Sequence, residues 1–156
     1  MLTVPGAFQA LAAVVADALA GAGFIPISTA LAVDDPTAVG PEGDETQFVT
    51  WAALTRGETR TVRSMLGRPK PRYVVEHRAS LELAWAGPDR EGGAVRLADA
   101  LAAVAALPGN DPSIGGAVER FFIEEGSEEP LPPNGWQTTL LCAFRIRSSD
   151  PLGLNP

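Results

Sequence analysis

The chain has one cysteine and one histidine in 156 residues. A single cysteine, Cys142, excludes an intrachain disulfide, and Cys142 with His77 alone cannot make a zinc site of cysteine and histidine ligands. Phosphate-cradling chemistry is missing too: Gly87-Pro-Asp-Arg-Glu-Gly-Gly has neither the lysine nor the spacing of such a loop, and no Gly-x-Ser-x-Gly turn occurs. No uninterrupted apolar run reaches about eighteen residues, which argues against a transmembrane span. The apolar N-terminus lacks a basic leader region and is broken by Asp17, so it does not read as a signal peptide. No cofactor or metal is expected, and no membrane partner.

What is present is glycine, proline and acid. Sixteen glycines and fourteen prolines gather between elements, which predicts long ordered loops. The net charge of -7 argues against a nucleic-acid-binding surface spread over the whole molecule. The charges are segregated, however. Arg56, Arg60, Arg63, Arg68, Lys70, Arg72 and Arg78 fall in one stretch, and Glu119, Glu124, Glu125, Glu128 and Glu129 in a later one. Such segregation suits complementary contacts between copies of one chain, and it also suits two solvated loops.

The clearest pattern is a long alternating run. Tyr73, Val75, His77, Ala79, Leu81, Leu83 and Trp85 share one face, and Val74, Glu76, Arg78, Ser80, Glu82 and Ala84 the other. Period two predicts a long antiparallel strand with one covered and one wetter face. Helical spacing predicts a helix over Gly6–Ala22, with Phe8, Leu11, Val15 and Leu19 on its stripe, and a second over the alanine-rich Ala94–Leu107. Phe24–Gly43 reads as loop, with the composition for a short strand at Ile25–Leu31. Thr46–Leu54 reads as a strand, and Thr55–Arg72 as a basic strand edge or arm leading into the long strand. The last third reads as a hairpin, Ala117–Glu124 against Trp136–Arg147, across a loop Glu125–Gly135. Residues 148–156 read as a mobile tail. The expected fold is a single α+β domain: a sheet of about four or five strands, antiparallel or mixed, with two helices packed on one face.

Catalytic constellations are weak. Asp34/Asp35 and Glu124/Glu125 are sequence neighbours, whereas acid–base pairs need separation across a cleft. His77 lies among apolar residues and reads as a buried histidine, with a catalytic base as the alternative. A His77/Cys142 nucleophilic pair would need a lowered thiol pKa, and the apolar neighbours of Cys142 would raise it. Trp51, Trp85 and Trp136 read as core anchors, with base stacking as the alternative.

Four segments together, RYVVEHRASLELAWAG (Arg72–Gly87), AVRLADALAAVAAL (Ala94–Leu107), AVERFFIEE (Ala117–Glu125) and GWQTTLLCAFRIR (Gly135–Arg147), resemble the tail-terminator proteins of long-tailed bacteriophages and of related tail-like particles and gene transfer agents. The helix FQALAAVVADAL (Phe8–Leu19) is similar to that family's opening element. The resemblance implies a structural virion protein rather than an enzyme. It implies a homo-oligomeric ring, expected to be a hexamer, at the head-proximal end of the tail and assembled in the host cytoplasm. Such a ring ends tube polymerisation and meets the tail tube protein and the head–tail connector, while DNA passes through without specific binding. The interface residues expected on this basis are Arg56, Arg60, Arg63, Arg68, Lys70, Arg72, Glu124, Glu125, Glu128 and Glu129. A neighbouring head–tail joining component and a small enzyme or ligand-binding domain using His77 remain open beside it.

Overall fold

A computed structural model describes residues 3–24, 48–67 and 70–156. The predicted strand Ile25–Leu31, nearly all of the Phe24–Gly43 loop, and Arg68 lie outside the described residues. The order of elements is α1 (Val4–Gly21), β1 (Val49–Met65), β2 (Arg72–Ala86), α2 (Arg90–Asn110), β3 (Arg120–Leu131) and β4 (Gly135–Ser148). The four strands form one antiparallel sheet in the order β1-β2-β4-β3, and the apolar stripes of both helices join the core on one side of it. The fold is α+β, as the periodicities predict.

The first helix starts at Val4, two residues before the predicted Gly6. Pro5 suits the first turn, where its missing N–H has no partner to lose, and Thr3 Oγ1 caps the turn by accepting from Gly6 N–H at 3.3 Å. Val4, Ala7, Leu11, Val15 and Leu19 are buried. The second helix also begins early, because Asp89 accepts from Gly92 N–H at 3.0 Å and turns the expected Gly-rich loop into a first helical turn. Gly93 is required there by packing: a Cβ would stand 2.3 Å from the Trp85 ring. Pro108 does not end this helix as its sequence suggests. It lies in the last turn, and Asp111 N–H still closes on the Leu107 carbonyl at 3.0 Å. By length and mean hydropathy, 1.5 and 1.2, both helices could cross a bilayer, but each lays a buried stripe on the sheet.

The strands run further than the sequence suggests. Of the two readings of Thr55–Arg72, strand edge or arm, the first holds as far as Met65: Thr55–Met65 is the second half of the outer strand β1, paired with β2 through two register shifts. Residues 125–131, expected as loop, are the second half of β3, paired with β4 as far as Leu131↔Gly135. Both stretches sit on outer strands and are mostly exposed, so no apolar alternation marks them. Pro130 is tolerated because an outer strand can spare one N–H.

The central strand β2 is buried on both faces over most of its length. Val75, Leu81, Leu83 and Trp85 face the helices. On the opposite side Trp51, Ala84 and Ala86 form a second small cluster with Leu131. Residues 148–156, expected to be a mobile tail, are bonded to the domain. Val4 N–H donates to the Gly153 carbonyl at 2.7 Å, and Asp150 Oδ1 accepts from Leu152 N–H at 2.9 Å. Ser148 Oγ donates to the Asn155 carbonyl.

Candidate functional site: the charged corners of the sheet

The two outer strands carry opposite charge. β1 has Arg56, Arg60 and Arg63 against one acid, Glu58. β3 has Glu124, Glu125, Glu128 and Glu129 against one base, Arg120. The register sets the outer ends of these groups at diagonal corners, while Arg56, opposite Ala79, and Glu125, opposite Leu141, lie nearly level in the middle of the sheet. Arg60 lies across from Glu76 and Met65 from Arg72, at the start of β2. Glu128 lies across from Thr138 and Leu131 from Gly135, while Gly135 lies across from Ala86 at the far end of β2. Lys70 and Arg72 extend the basic corner through the β1–β2 turn.

The sequence-predicted residues divide between those held within the chain and those left free. Arg60 donates to Glu76 Oε1 at 3.2 Å, and Glu124 accepts from Arg78 at 3.1 Å. The Arg56 guanidinium stands 6.0 Å over the Phe8 ring. Glu128 Oε2 accepts from Trp136 Nε1 at 3.1 Å. Arg63, Lys70, Arg72, Glu125 and Glu129 are exposed, and none makes an ion pair among the described residues. One ion pair joins the basic stretch to the acidic one among the described residues, Arg78 to Glu124 at 3.1 Å, in the middle of the sheet. Arg63, Lys70 and Arg72 make none with Glu125, Glu128 or Glu129.

Sequence reasoning placed Glu76 on a wetter face, but it is buried, with 2% of its side chain exposed. Arg145 Nε donates to Oε2 at 2.9 Å, Arg60 holds Oε1, and Arg78 Nε stands 3.7 Å from Oε1. Burial alone would push the Glu76 carboxyl up. The hydrogen bonds and charges of Arg145 and Arg60 outweigh it and hold the pKa below the ordinary value. Beside this cluster Phe122 lies under Arg120 at 5.7 Å and Arg145 at 5.5 Å. Only a residue whose partners come from three different strands reveals such a network, and local sequence carries no signal for that.

His77 is fully buried between Phe8, at 6.0 Å between centroids, and Phe144, at 5.2 Å. Its Nδ1 shares a 2.7 Å hydrogen bond with Thr59 Oγ1. Burial, helped by the charge of Arg56, pushes its pKa down to about 4, so the ring is neutral at neutral pH. Cys142 is buried nearby with its thiol toward the Leu140 carbonyl at 4.0 Å. Burial, helped by Glu124, pushes that thiol up to about 11. The two groups make no hydrogen bond with each other, and neither is poised as a base or nucleophile.

At the acidic corner a groove of about 600 Å³ opens between α2 and the β3–β4 hairpin. Trp85, Leu97, Leu101, Pro132 and Trp136 line it. Trp85 and Trp136 are direct neighbours across β2 and β4, and Trp136 is 36% exposed.

No family model matches the sequence, and no curated protein matches it. Among solved structures, the chain is similar to the type 4 fimbrial biogenesis protein PilO from Pseudomonas aeruginosa at 11% identity and a TM-score of 0.36. That match covers 93% of this chain and 69% of that one.

Proposed function

We propose that this chain is a structural subunit that joins copies of itself head to tail in a closed ring. In this reading it is the tail terminator of a long-tailed phage or a related tail-like particle. The observation that carries the proposal is the diagonal placement of opposite charge on the two outer strands. A patch that meets a different patch on the next copy is a heterologous contact, and such contacts generate rings when the rotation closes. Free arginines and lysine at one corner and free glutamates at the other supply attraction and register for that contact. Long outer strands that stay polar are also kept from pairing indiscriminately. The tail assignment comes from the resemblance in element order, with the tube protein and the head–tail connector as partners on either side of the ring.

Complementary charge reversal tests the contact. One variant carries Arg63→Glu, Lys70→Glu and Arg72→Glu, and a second carries Glu125→Arg and Glu129→Arg. None of these side chains makes an ion pair among the described residues, so the fold is expected to be spared. Each variant alone is expected to stay monomeric, and the mixture to form rings of alternating copies. Two variants that each assemble like the unaltered chain would remove the charged corners from the account. Capping of growing tail tubes by the unaltered protein supports the terminator; binding to the connector without any effect on tube length supports a joining component instead.

A further inference from the structure

One line of paired residues crosses all four strands on the face away from the helices. Arg60 lies across from Glu76, Glu76 from Arg145, and Arg145 from Arg120. At roughly 4.8 Å between strands this row spans about 14 Å. Glu76 is the one acid in it and is buried, with Arg60 and Arg145 bonded to it and Arg78 Nε 3.7 Å away. Arg120 makes no ion pair among the described residues. It stands directly opposite Arg145, and both guanidiniums lie over the Phe122 ring, at 5.7 and 5.5 Å. Like charges set directly opposite on neighbouring strands repel each other. Two residues further along β4, Arg147 points to the same face and pairs with Glu119, while Arg78 also pairs with Glu124. Five guanidiniums thus meet three carboxylates, an excess of positive charge in a chain whose net charge is -7. Arg63 and Glu58, exposed on β1 nearby, add one charge of each sign.

The shape of this surface decides what can neutralise the excess. Among the described residues no helix lies over this face, and the arginine side chains paired with the three acids are 40–56% exposed. A hollow on the same face begins at Gly57, Arg78 and Ser80, but Glu124 and Glu125 border it and repel an anion. The row itself is open, so it has no wall to enclose a small anion. An extended anion can lie along it and meet each guanidinium in turn. A guanidinium has five N–H donors, and a bond to Glu76 leaves others for phosphate oxygens. Each strand of duplex DNA carries one charge per roughly 3.4 Å of axis, so the row faces about four phosphates. We propose that the Arg60–Glu76–Arg145–Arg120 row is a contact for the phosphodiester backbone of DNA. Glu76 holds the arginines in place, and a phosphate over Arg120 and Arg145 relieves their repulsion. The contact is independent of base sequence, because it meets phosphates alone. It goes beyond the ring reading, since a single copy carries the whole row.

Fluorescence anisotropy of a labelled DNA duplex of about twenty base pairs, titrated with the full chain between about 50 and 200 mM salt, tests the inference. Binding is expected to weaken as salt rises and to be equal for two unrelated sequences. Arg120→Gln is expected to weaken it about three- to tenfold at low salt and to lower the salt slope by about one. Lys70→Gln makes the same charge change off the row and is expected to leave the slope as it is. Without DNA, Arg120→Gln is expected to melt no lower than the unaltered chain, since it removes one of two facing like charges. No binding at about 50 mM salt would overturn the inference. So would a slope that Arg120→Gln leaves unchanged while lowering the melting temperature, which marks a purely structural stack on Phe122. Release of the duplex by millimolar inorganic phosphate at fixed ionic strength would replace the DNA backbone with a small anion. Loss of self-association in Arg120→Gln with DNA binding intact would assign the row to a neighbouring copy instead. The ring reading is judged separately, by the size of the oligomer without DNA.

Discussion

Arg145 and Glu76 face each other across β2 and β4 at 2.9 Å, on the side of the sheet away from the helices. The carboxylate is buried, but its three guanidinium partners are 40–51% exposed. Losing the carboxylate therefore leaves cations that water can still reach. Glu76→Ala is expected to lower stability by about 1–3 kcal/mol in urea unfolding. Because the native carboxyl titrates below its ordinary value, its contribution is present at neutral pH and is lost as pH falls below about 4.5. A Glu76→Ala chain as stable as the original would remove this network from the account.

His77 makes a separate contribution on the acid side. Its folded pKa of about 4 lies below the ordinary 6.5, so the native state excludes a proton that the unfolded chain accepts. Stability is full above pH 6.5 and falls as pH drops from there toward 4. Between pH 7 and 4.5 the loss is expected to be on the order of 2–3 kcal/mol. His77→Phe keeps an aromatic among Phe8 and Phe144 and is expected to flatten that part of the profile. A variant curve parallel to the original across this window would contradict the assignment.

Gly93 fixes how closely α2 approaches the sheet. Gly93→Ala places a methyl 2.3 Å from the Trp85 ring, which must shift. The expected cost is about 1–3 kcal/mol in thermal or urea unfolding. Unchanged stability would show that α2 stands further from Trp85 than the structure places it.

Cys142 is expected to resist thiol reagents at neutral pH, because it is buried and its thiol is held protonated to about pH 11. Labelling should become fast only in denaturant. Fast labelling of the folded chain at pH 7 would reopen the reading of Cys142 as a nucleophile.

The sequence made some elements legible because their signals are local. The stripe Leu11, Val15, Leu19 gave α1, and the alternation from Tyr73 to Trp85 gave β2 to within a residue at each end. The second half of β3 was not legible, and that of β1 was legible only as a strand edge or arm. Their residues lie on outer strands that are mostly exposed, so Arg60, Arg63, Glu125 and Glu129 look the same in a strand as in a loop. The acidic and basic clusters were visible as composition. Their position at diagonal corners depends on the strand order β1-β2-β4-β3, which no local pattern encodes. The groove was hidden for the same reason: Trp85 and Trp136 meet only through the register of β2 on β4.

Native mass spectrometry of the purified chain, alone and with tube protein, tests the central claim most directly. The account predicts one discrete closed oligomer, six copies being the expected number, with no ladder of longer chains. It also predicts that raising the salt concentration, which screens the charged corners, shifts that oligomer toward monomer. A monomer at every concentration, with and without tube protein, would contradict it.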